Sequence, residues 1–273
     1  MIIQYDSIKL NLEMLTEFDQ SKKSILFLHG FTGSAKDWND IAQKVDKRFN
    51  KLALDIIGHG KSGAPKDVSY YTSDSLVNQI EHTLNTLRLK EIVLCGYSMG
   101  GRVALNFSVH KPEFTKGLIL ESASAGFRNE KERTERKNRD DELSLFIEKN
   151  TLEDFAAMWL DQELFGTLRR FSNDKIKKIQ EVRAENSKTG LANSLRGFGA
   201  GVMPYLGSEL VKMKFPILLI TGGLDEKFTR INQNLKKVMR SSKHKIISTA
   251  GHNTHLEEPK KFIDVVNGFL SRF

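Results

Sequence analysis

Short apolar runs separated by amphipathic stretches set the rhythm of this chain. Strand-like runs fall at residues 8–15, 24–28, 51–55, 91–95, 117–120, 216–221 and 244–248, rich in the β-branched and aliphatic residues that suit a pleated surface. Helical periodicity appears at 72–87, 101–110, 231–239 and 259–269. Strands alternating with helices predict an α/β fold, a mostly parallel sheet covered by helices on both faces. One interval breaks the rhythm. From 122 to 213 no strand pattern occurs and the sequence reads as several helices, which predicts a helical cap (122–213) inserted in a core made of 1–121 and 214–273. There is no internal repeat and no low-complexity linker.

Composition narrows the class. A chain of 273 residues fits one large α/β domain with an insertion and can bury a full core without staples. Its single cysteine, Cys95, excludes an intramolecular disulfide framework and favours a reducing setting. The first residues lack the basic-then-apolar order of a signal peptide, and no apolar run reaches the roughly 20 residues of a membrane span. The expectation is a soluble cytoplasmic protein without membrane contact; a monomer satisfies the sequence, which leaves the oligomeric state open. The net charge of +8 raises nucleic acid as a partner, but the aromatics are not interleaved with basic clusters as base stacking requires. An anionic small molecule is the simpler expectation. The charge run 126–149 holds equal numbers of basic and acidic residues and reads as a solvated helix with Leu143, Phe146 and Ile147 turned inward.

Two motifs offer chemistry that their context withholds. Residues 58–63, GHGKSG, follow a strand as a dinucleotide-binding loop would, but Pro65 stands where a helix should open, and a phosphate-binding loop would need glycine in place of Asp55. His252, His255 and Glu257 can be drawn as metal ligands, yet Gly251 and Asn253 indicate a loop rather than a ligand-bearing helix. A structural or surface role suits His255 better, and no metal is expected.

A third motif fits its surroundings. Gly96-Tyr97-Ser98-Met99-Gly100 is G-x-S-x-G between a strand and a helix, the sharp turn that lifts a serine hydroxyl above a sheet edge. Alone it could be a tight turn with a passive serine. A serine becomes a nucleophile or base when a histidine accepts its proton and a carboxylate fixes that histidine's tautomer. Asp225, in Gly222-Gly223-Leu224-Asp225, follows the strand 216–221, and His252 follows the strand 244–248. Ser98, Asp225 and His252 thus all fall at strand C-terminal ends, where an open α/β sheet places its site. The turn Leu28-His29-Gly30-Phe31-Thr32-Gly33 outlines an oxyanion hole, with the Phe31 and Met99 amides as donors.

Taken in order, HGF at 29–31, DIIGHGKS at 55–62, GYSMGG at 96–101, GGLD at 222–225 and GH at 251–252 resemble the α/β-hydrolase-fold family over nearly the whole chain. The fold alone does not fix the reaction. GYSMGGR with Arg102, D-x-K-F at 225–228, and the cap pieces around Arg128, Trp159, Leu164-Phe165 and Arg183 are similar to one subfamily, the 2-succinyl-6-hydroxy-2,4-cyclohexadiene-1-carboxylate synthases of menaquinone biosynthesis. That resemblance implies a cofactor-independent lyase eliminating pyruvate from a tricarboxylate. It also implies that Arg102, Arg128 and Arg183 bind carboxylates, for which guanidinium forks are suited, while Tyr97 and Trp159 line the pocket. Arg196 is a further, weaker candidate. Ala125 departs from the family's pattern, in which proline often precedes the glycine, so the loop carrying Arg128 has less built-in stiffness. Two other readings stay open. A carboxylesterase would use the same triad through an acyl-enzyme with an apolar pocket, and a non-catalytic ligand receptor would have no use for an intact triad.

Overall fold

The computed structural model describes residues 1–273. A hairpin of β1 (Ile2–Tyr5) and β2 (Ile8–Met14) opens the sheet. β2 pairs antiparallel with β4 (Phe49–Leu54). From β4 onward every pairing is parallel, through β3 (Lys23–Leu28), β5 (Ile92–Tyr97), β6 (Thr115–Glu121), β7 (Ile217–Gly222) and β8 (Ser242–Ile247). The strand order is β1-β2-β4-β3-β5-β6-β7-β8. β3 and β5 are therefore central neighbours, which brings the Phe31 turn beside Ser98 at one edge of the sheet.

The mostly parallel sheet is the one the apolar runs announced, with one omission. β1 is absent from the strand pattern because its four residues are half exposed and its turn, Asp6-Ser7, is not a favoured hairpin dipeptide. In the central strands both faces are buried. Leu94 of β5 joins one core layer while Val93 and Cys95 join the other, and Leu219 and Leu218 of β7 divide in the same way. The first layer is closed by α2 (Ser73–Thr86) and α3 (Met99–His110). The Thr72 hydroxyl caps α2 at the Ser75 amide, and Leu76, Val77, Ile80 and Leu84 form its inward stripe. The second layer is closed by α1 (Asn39–Ala42) and α10 (Pro259–Leu270). α10 starts at a proline and buries Phe262, Ile263, Val266, Phe269 and Leu270. Each such side chain contributes about 1.5–3 kcal/mol when fully buried.

Between β6 and β7 the chain is helical: α4 (Glu130–Lys149), α5 (Leu152–Asp161), a 3₁₀ helix Glu163–Arg170, α6 (Asn173–Ala184) and α7 (Lys188–Phe198). α4 packs on α7, and α5 on α6. This segment meets the sheet closely. A side chain on Gly58 would collide with the Gly190 backbone, and Asn186 donates to the Thr32 carbonyl at 2.8 Å while accepting from the Gly60 amide at 3.0 Å. After β7, α8 (Glu226–Val238) begins five residues before the apolar period suggests, because Asp225 caps it and its first turn is polar. A short α9 (Thr254–Glu257) precedes α10. No helix is long and apolar enough to cross a membrane.

Candidate active site

β5 ends at Tyr97, and the chain reverses into α3 through Ser98, whose φ of 49° and ψ of −106° lie where side chains are rarely tolerated. Two glycines permit this turn. A Cβ on Gly100 would run into the Leu28 and His29 carbonyls, and one on Gly96 into the Gly100 backbone. The Ser98 amide donates to the Glu121 carbonyl at 2.8 Å, fixing the elbow to the end of β6. The strained serine faces a histidine. His252 Nε2 lies 3.0 Å from Ser98 Oγ, and His252 Nδ1 lies 2.7 Å from Asp225 Oδ2. The other Asp225 oxygen accepts from the Phe228 amide at 3.0 Å. A carboxylate held at the N-terminus of α8 accepts the hydrogen bond from Nδ1–H and so keeps the proton on Nδ1, which leaves Nε2 as the acceptor for the serine hydroxyl.

The Phe31 amide donates to no carbonyl or side chain in the chain, and Met99 opens α3, where the helix itself offers no acceptor. The turn bearing Phe31 is locked by His29, whose Nε2 accepts from the Ile56 amide at 3.0 Å while Nδ1 meets the Gly30 carbonyl at 2.8 Å. Burial keeps His29 below its ordinary pKa and pushes its neighbour His59 down to about 3. Both imidazoles are neutral structural parts.

An aromatic wall joins the helical segment to the triad. Phe31 meets Trp159 at 5.2 Å, Trp159 meets Phe165 at 5.6 Å, and Phe165 lies 6.0 Å from the His252 ring. Phe228 also packs on His252, at 4.5 Å, and Tyr97 sits 5.5 Å away. The Tyr97 ring also fills the space where Gly30 lacks a side chain. Burial, with Glu121 nearby, pushes the Tyr97 phenol far above its usual range.

The structure divides the candidate arginines. Arg102 is buried; it donates to the Phe198 carbonyl at 2.8 Å and lies over the Phe198 ring, with no carboxylate partner. Burial and the nearby Arg136 charge pull its pKa down to about 10. Arg183 is also buried, its Nε has no partner, and its nearest carboxylate, on Asp37, is 3.9 Å distant. Arg128 differs from both. It is exposed, precedes the Asn129 cap of α4, and forms neither a hydrogen bond nor an ion pair. Arg196 is engaged elsewhere, held by both oxygens of Glu148.

Sequence reasoning passed over three further groups. Arg136 lies in the charge run whose pattern predicts a solvated helix, yet it pairs at 2.8 Å with the buried Asp140 and its charge reaches Arg102. The signal was present: Arg136, Asp140, Ser144 and Ile147 recur at helical spacing, and the last three are buried. Phe165 and Phe228 lie beside His252, and nothing in their local sequence apart from the family resemblance marks them. Glu121 is a buried hub, accepting from the Thr254 hydroxyl at 2.6 Å and the His255 amide at 2.9 Å and meeting His255 Nδ1 at 2.6 Å. His255 therefore has a structural partner, stacked on Trp38 at 4.3 Å. In the glycine loop 58–63, the Lys61 amide donates to the Asp55 carboxylate at 2.8 Å and no helix opens after it.

Known proteins resemble this chain along most of its length. The α/β hydrolase fold family model matches residues 23–259. A Bacillus subtilis protein provisionally named 2-succinyl-6-hydroxy-2,4-cyclohexadiene-1-carboxylate synthase is 39% identical over 256 residues, 93% of each chain. The Serratia proteamaculans protein of the same name is 28% identical, covering 96% of this chain and 98% of its own. The solved structure of MenH from S. aureus superposes with a TM-score of 0.90 at 29% identity, covering 96% of this chain and 98% of the other. On these grounds the chain belongs to the α/β-hydrolase fold family and, within it, to the group of 2-succinyl-6-hydroxy-2,4-cyclohexadiene-1-carboxylate synthases.

Proposed function

We propose that the protein is a carbon–oxygen lyase of menaquinone biosynthesis. It eliminates pyruvate from 2-succinyl-5-enolpyruvyl-6-hydroxy-3-cyclohexene-1-carboxylate to give 2-succinyl-6-hydroxy-2,4-cyclohexadiene-1-carboxylate, in the cytoplasm, with no cofactor. The observation that carries this reading is Arg102, a buried guanidinium one helical turn past Ser98 with no carboxylate of its own. An unpaired buried cation is costly unless a ligand anion completes it. Arg183 is a second buried guanidinium, its Nε unpartnered and its only carboxylate, on Asp37, as far as 3.9 Å away, and the names of the relatives agree. Residues 122–213 act as the cap over this site.

In this mechanism His252, oriented by Asp225, raises the basicity of Ser98. The serine oxygen takes the proton α to the succinyl carbonyl, and His252 receives it. The Phe31 and Met99 amides stabilise the enolate oxygen as its charge develops, a contribution of about 3 kcal/mol per donor in comparable sites. The electron pair moves through the ring double bond, the C–O bond to the enolpyruvyl group breaks, and the departing enolate is protonated to pyruvate. Arg102 and Arg183 hold substrate carboxylates, with Arg136 adding positive potential beside Arg102. Tyr97 and Trp159 line the pocket.

Coupled detection of pyruvate from the enolpyruvyl substrate tests the reading, with stoichiometric release and the diene product as the expected result. Vigorous turnover of neutral p-nitrophenyl esters with no pyruvate released would replace it with an esterase acting through an acyl-enzyme.

A further inference from the structure

The loop that carries His252 is held by a carboxylate outside the triad. Glu257 is almost wholly buried, and its side chain reaches back along the chain. One oxygen accepts from the Gly251 amide at 2.8 Å and the other from the Asn253 amide at 3.2 Å. These are the residues on either side of His252, so a single rigid group fixes both of its neighbours.

Glu257 is held in turn from the helical segment. Arg170, the last residue of the 3₁₀ helix, donates to Glu257 Oε2 at 2.8 Å and to the Thr249 carbonyl at 2.6 Å. The same helix closes on the loop at two more points. Thr167 packs so tightly against Gly251 that a side chain on the glycine would collide with its hydroxyl, and Phe165 faces the His252 ring. Leu256, just before Glu257, packs in the cluster of Leu160, Phe165 and Leu168. The backbone around His252 is therefore set by Glu257 at the end of α9 together with a helix from outside β8 and α9, the 3₁₀ helix that carries Thr167 and Arg170.

We propose that Arg170 and Glu257 are positioning residues that latch the helical segment to the His252 loop, so that the imidazole reaches Ser98 only while the segment is seated. The proposal rests on Ser98 and His252 forming the reactive pair. A guanidinium is suited to the latch because its fork satisfies the carboxylate and a carbonyl at once. Without it, Glu257 would keep its two amide bonds but lose its tether, and the loop could drift relative to the serine. A displacement near 1 Å at a reacting pair costs up to about a hundredfold in rate.

The experiment compares the full-length protein with Arg170→Gln, Arg170→Lys, Glu257→Gln and, as a control, Arg169→Gln. Arg169 is an exposed neighbour paired only with Asp161. The first readout is the second-order rate of Ser98 labelling by phenylmethylsulfonyl fluoride, in which the serine oxygen forms an S–O bond, fluoride leaves and the proton passes to His252. This reports the reactive pair whatever the natural substrate is. The second is kcat and KM for pyruvate release, and the third is the thermal midpoint, used to express both rates per folded molecule. The expected result is a loss of about ten- to a hundredfold in labelling and in kcat for Arg170→Gln and Glu257→Gln, unchanged KM, and partial recovery in Arg170→Lys. Wild-type labelling per folded molecule in Arg170→Gln, with only a lowered midpoint, would show a merely structural tie and overturn the proposal. Equal loss in Arg169→Gln would overturn it too. If Glu257→Gln does not fold, the partly exposed Arg170 decides alone. A wild-type protein that labels but releases no pyruvate would contradict the lyase reading while leaving the latch testable, whereas failure of Ser98 to label at all would remove the reactive pair and the latch with it.

Discussion

At the scale of single residues, Arg102 separates a ligand-binding site from a structural ion pair. Its guanidinium spends one donor on the Phe198 carbonyl and has no carboxylate within ion-pair distance. Its position near the start of α3 adds to the cost, because a helix N-terminus repels a cation. A substrate carboxylate would relieve both. Arg102→Ala is therefore expected to lower kcat/KM for pyruvate release by about a hundredfold or more, in line with the 2–5 kcal/mol lost when a buried charge pair loses one partner. Arg102→Lys should recover little, since an ammonium cannot reproduce the planar fork. Because the free protein gives the cation no carboxylate, the alanine variant should lose only what its Phe198 hydrogen bond and packing supply, about 1–3 kcal/mol, and less than it loses in transition-state binding. Kinetics and melting on the same samples check this, and wild-type kcat/KM with a large drop in midpoint would make Arg102 a packing residue.

At the scale of elements, the elbow between β5 and α3 stores strain that the two ends of the turn impose. Ser98 sits at φ 49° and ψ −106° because the Gly96 and Gly100 backbones close on each other and on the end of β3. Such a conformation costs about 1–3 kcal/mol for a residue with a side chain and little for glycine. Ser98→Gly should then unfold at higher urea than Ser98→Ala, by roughly 1 kcal/mol, although both lack the hydroxyl and neither should react. Equal stabilities would mean that the turn carries no strain at this residue. This element was legible in the sequence because its chemistry is local: a strand, two glycines and a helix in ten residues. The site residues that depend on such turns, Ser98, Asp225 and His252, were legible for the same reason. The exposed setting of Arg128 was not, since it depends on where α4 begins, and the Asn129 cap leaves it outside the helix. Arg136 was hidden by the opposite problem. On a helix with so many charges, burial of one face is decided by α7 packing against it, which no local pattern reports. The early start of α8 was hidden too, because the Asp225 cap fixes its first turn and that turn spends its one apolar residue, Phe228, on His252 rather than on a core stripe.

At the scale of the whole molecule, acid stability depends on the seam between the helical segment and the sheet. His59 lies in the glycine loop beneath Asn186 and Gly190, fully buried, with Nε2 unpartnered. Burial, reinforced by His29, holds its pKa at about 3, against 6.5 for an exposed imidazole, and His29 is shifted the same way. Both depend on the segment keeping water out, so both charge when the chain unfolds. Between pH 6.5 and 3 the unfolded chain binds more protons than the folded one, and stability rises with pH across that window. The contribution is therefore fully present above pH 6.5 and drains away on acidification towards pH 3, with each fully titrating histidine adding a slope of about 1.4 kcal/mol per pH unit. In His59→Asn, which retains a donor for the Ile57 carbonyl but cannot take up a proton, one of these slopes should vanish. The measurement is urea unfolding at half-unit steps from pH 7 to 4.5, below which carboxylates such as Glu13, held down by Asn11 and Lys61, begin to contribute as well. If the variant and the wild type lost stability in parallel over that range, His59 would have to be open to protonation in the folded state, and the seam between segment and sheet would not exclude water.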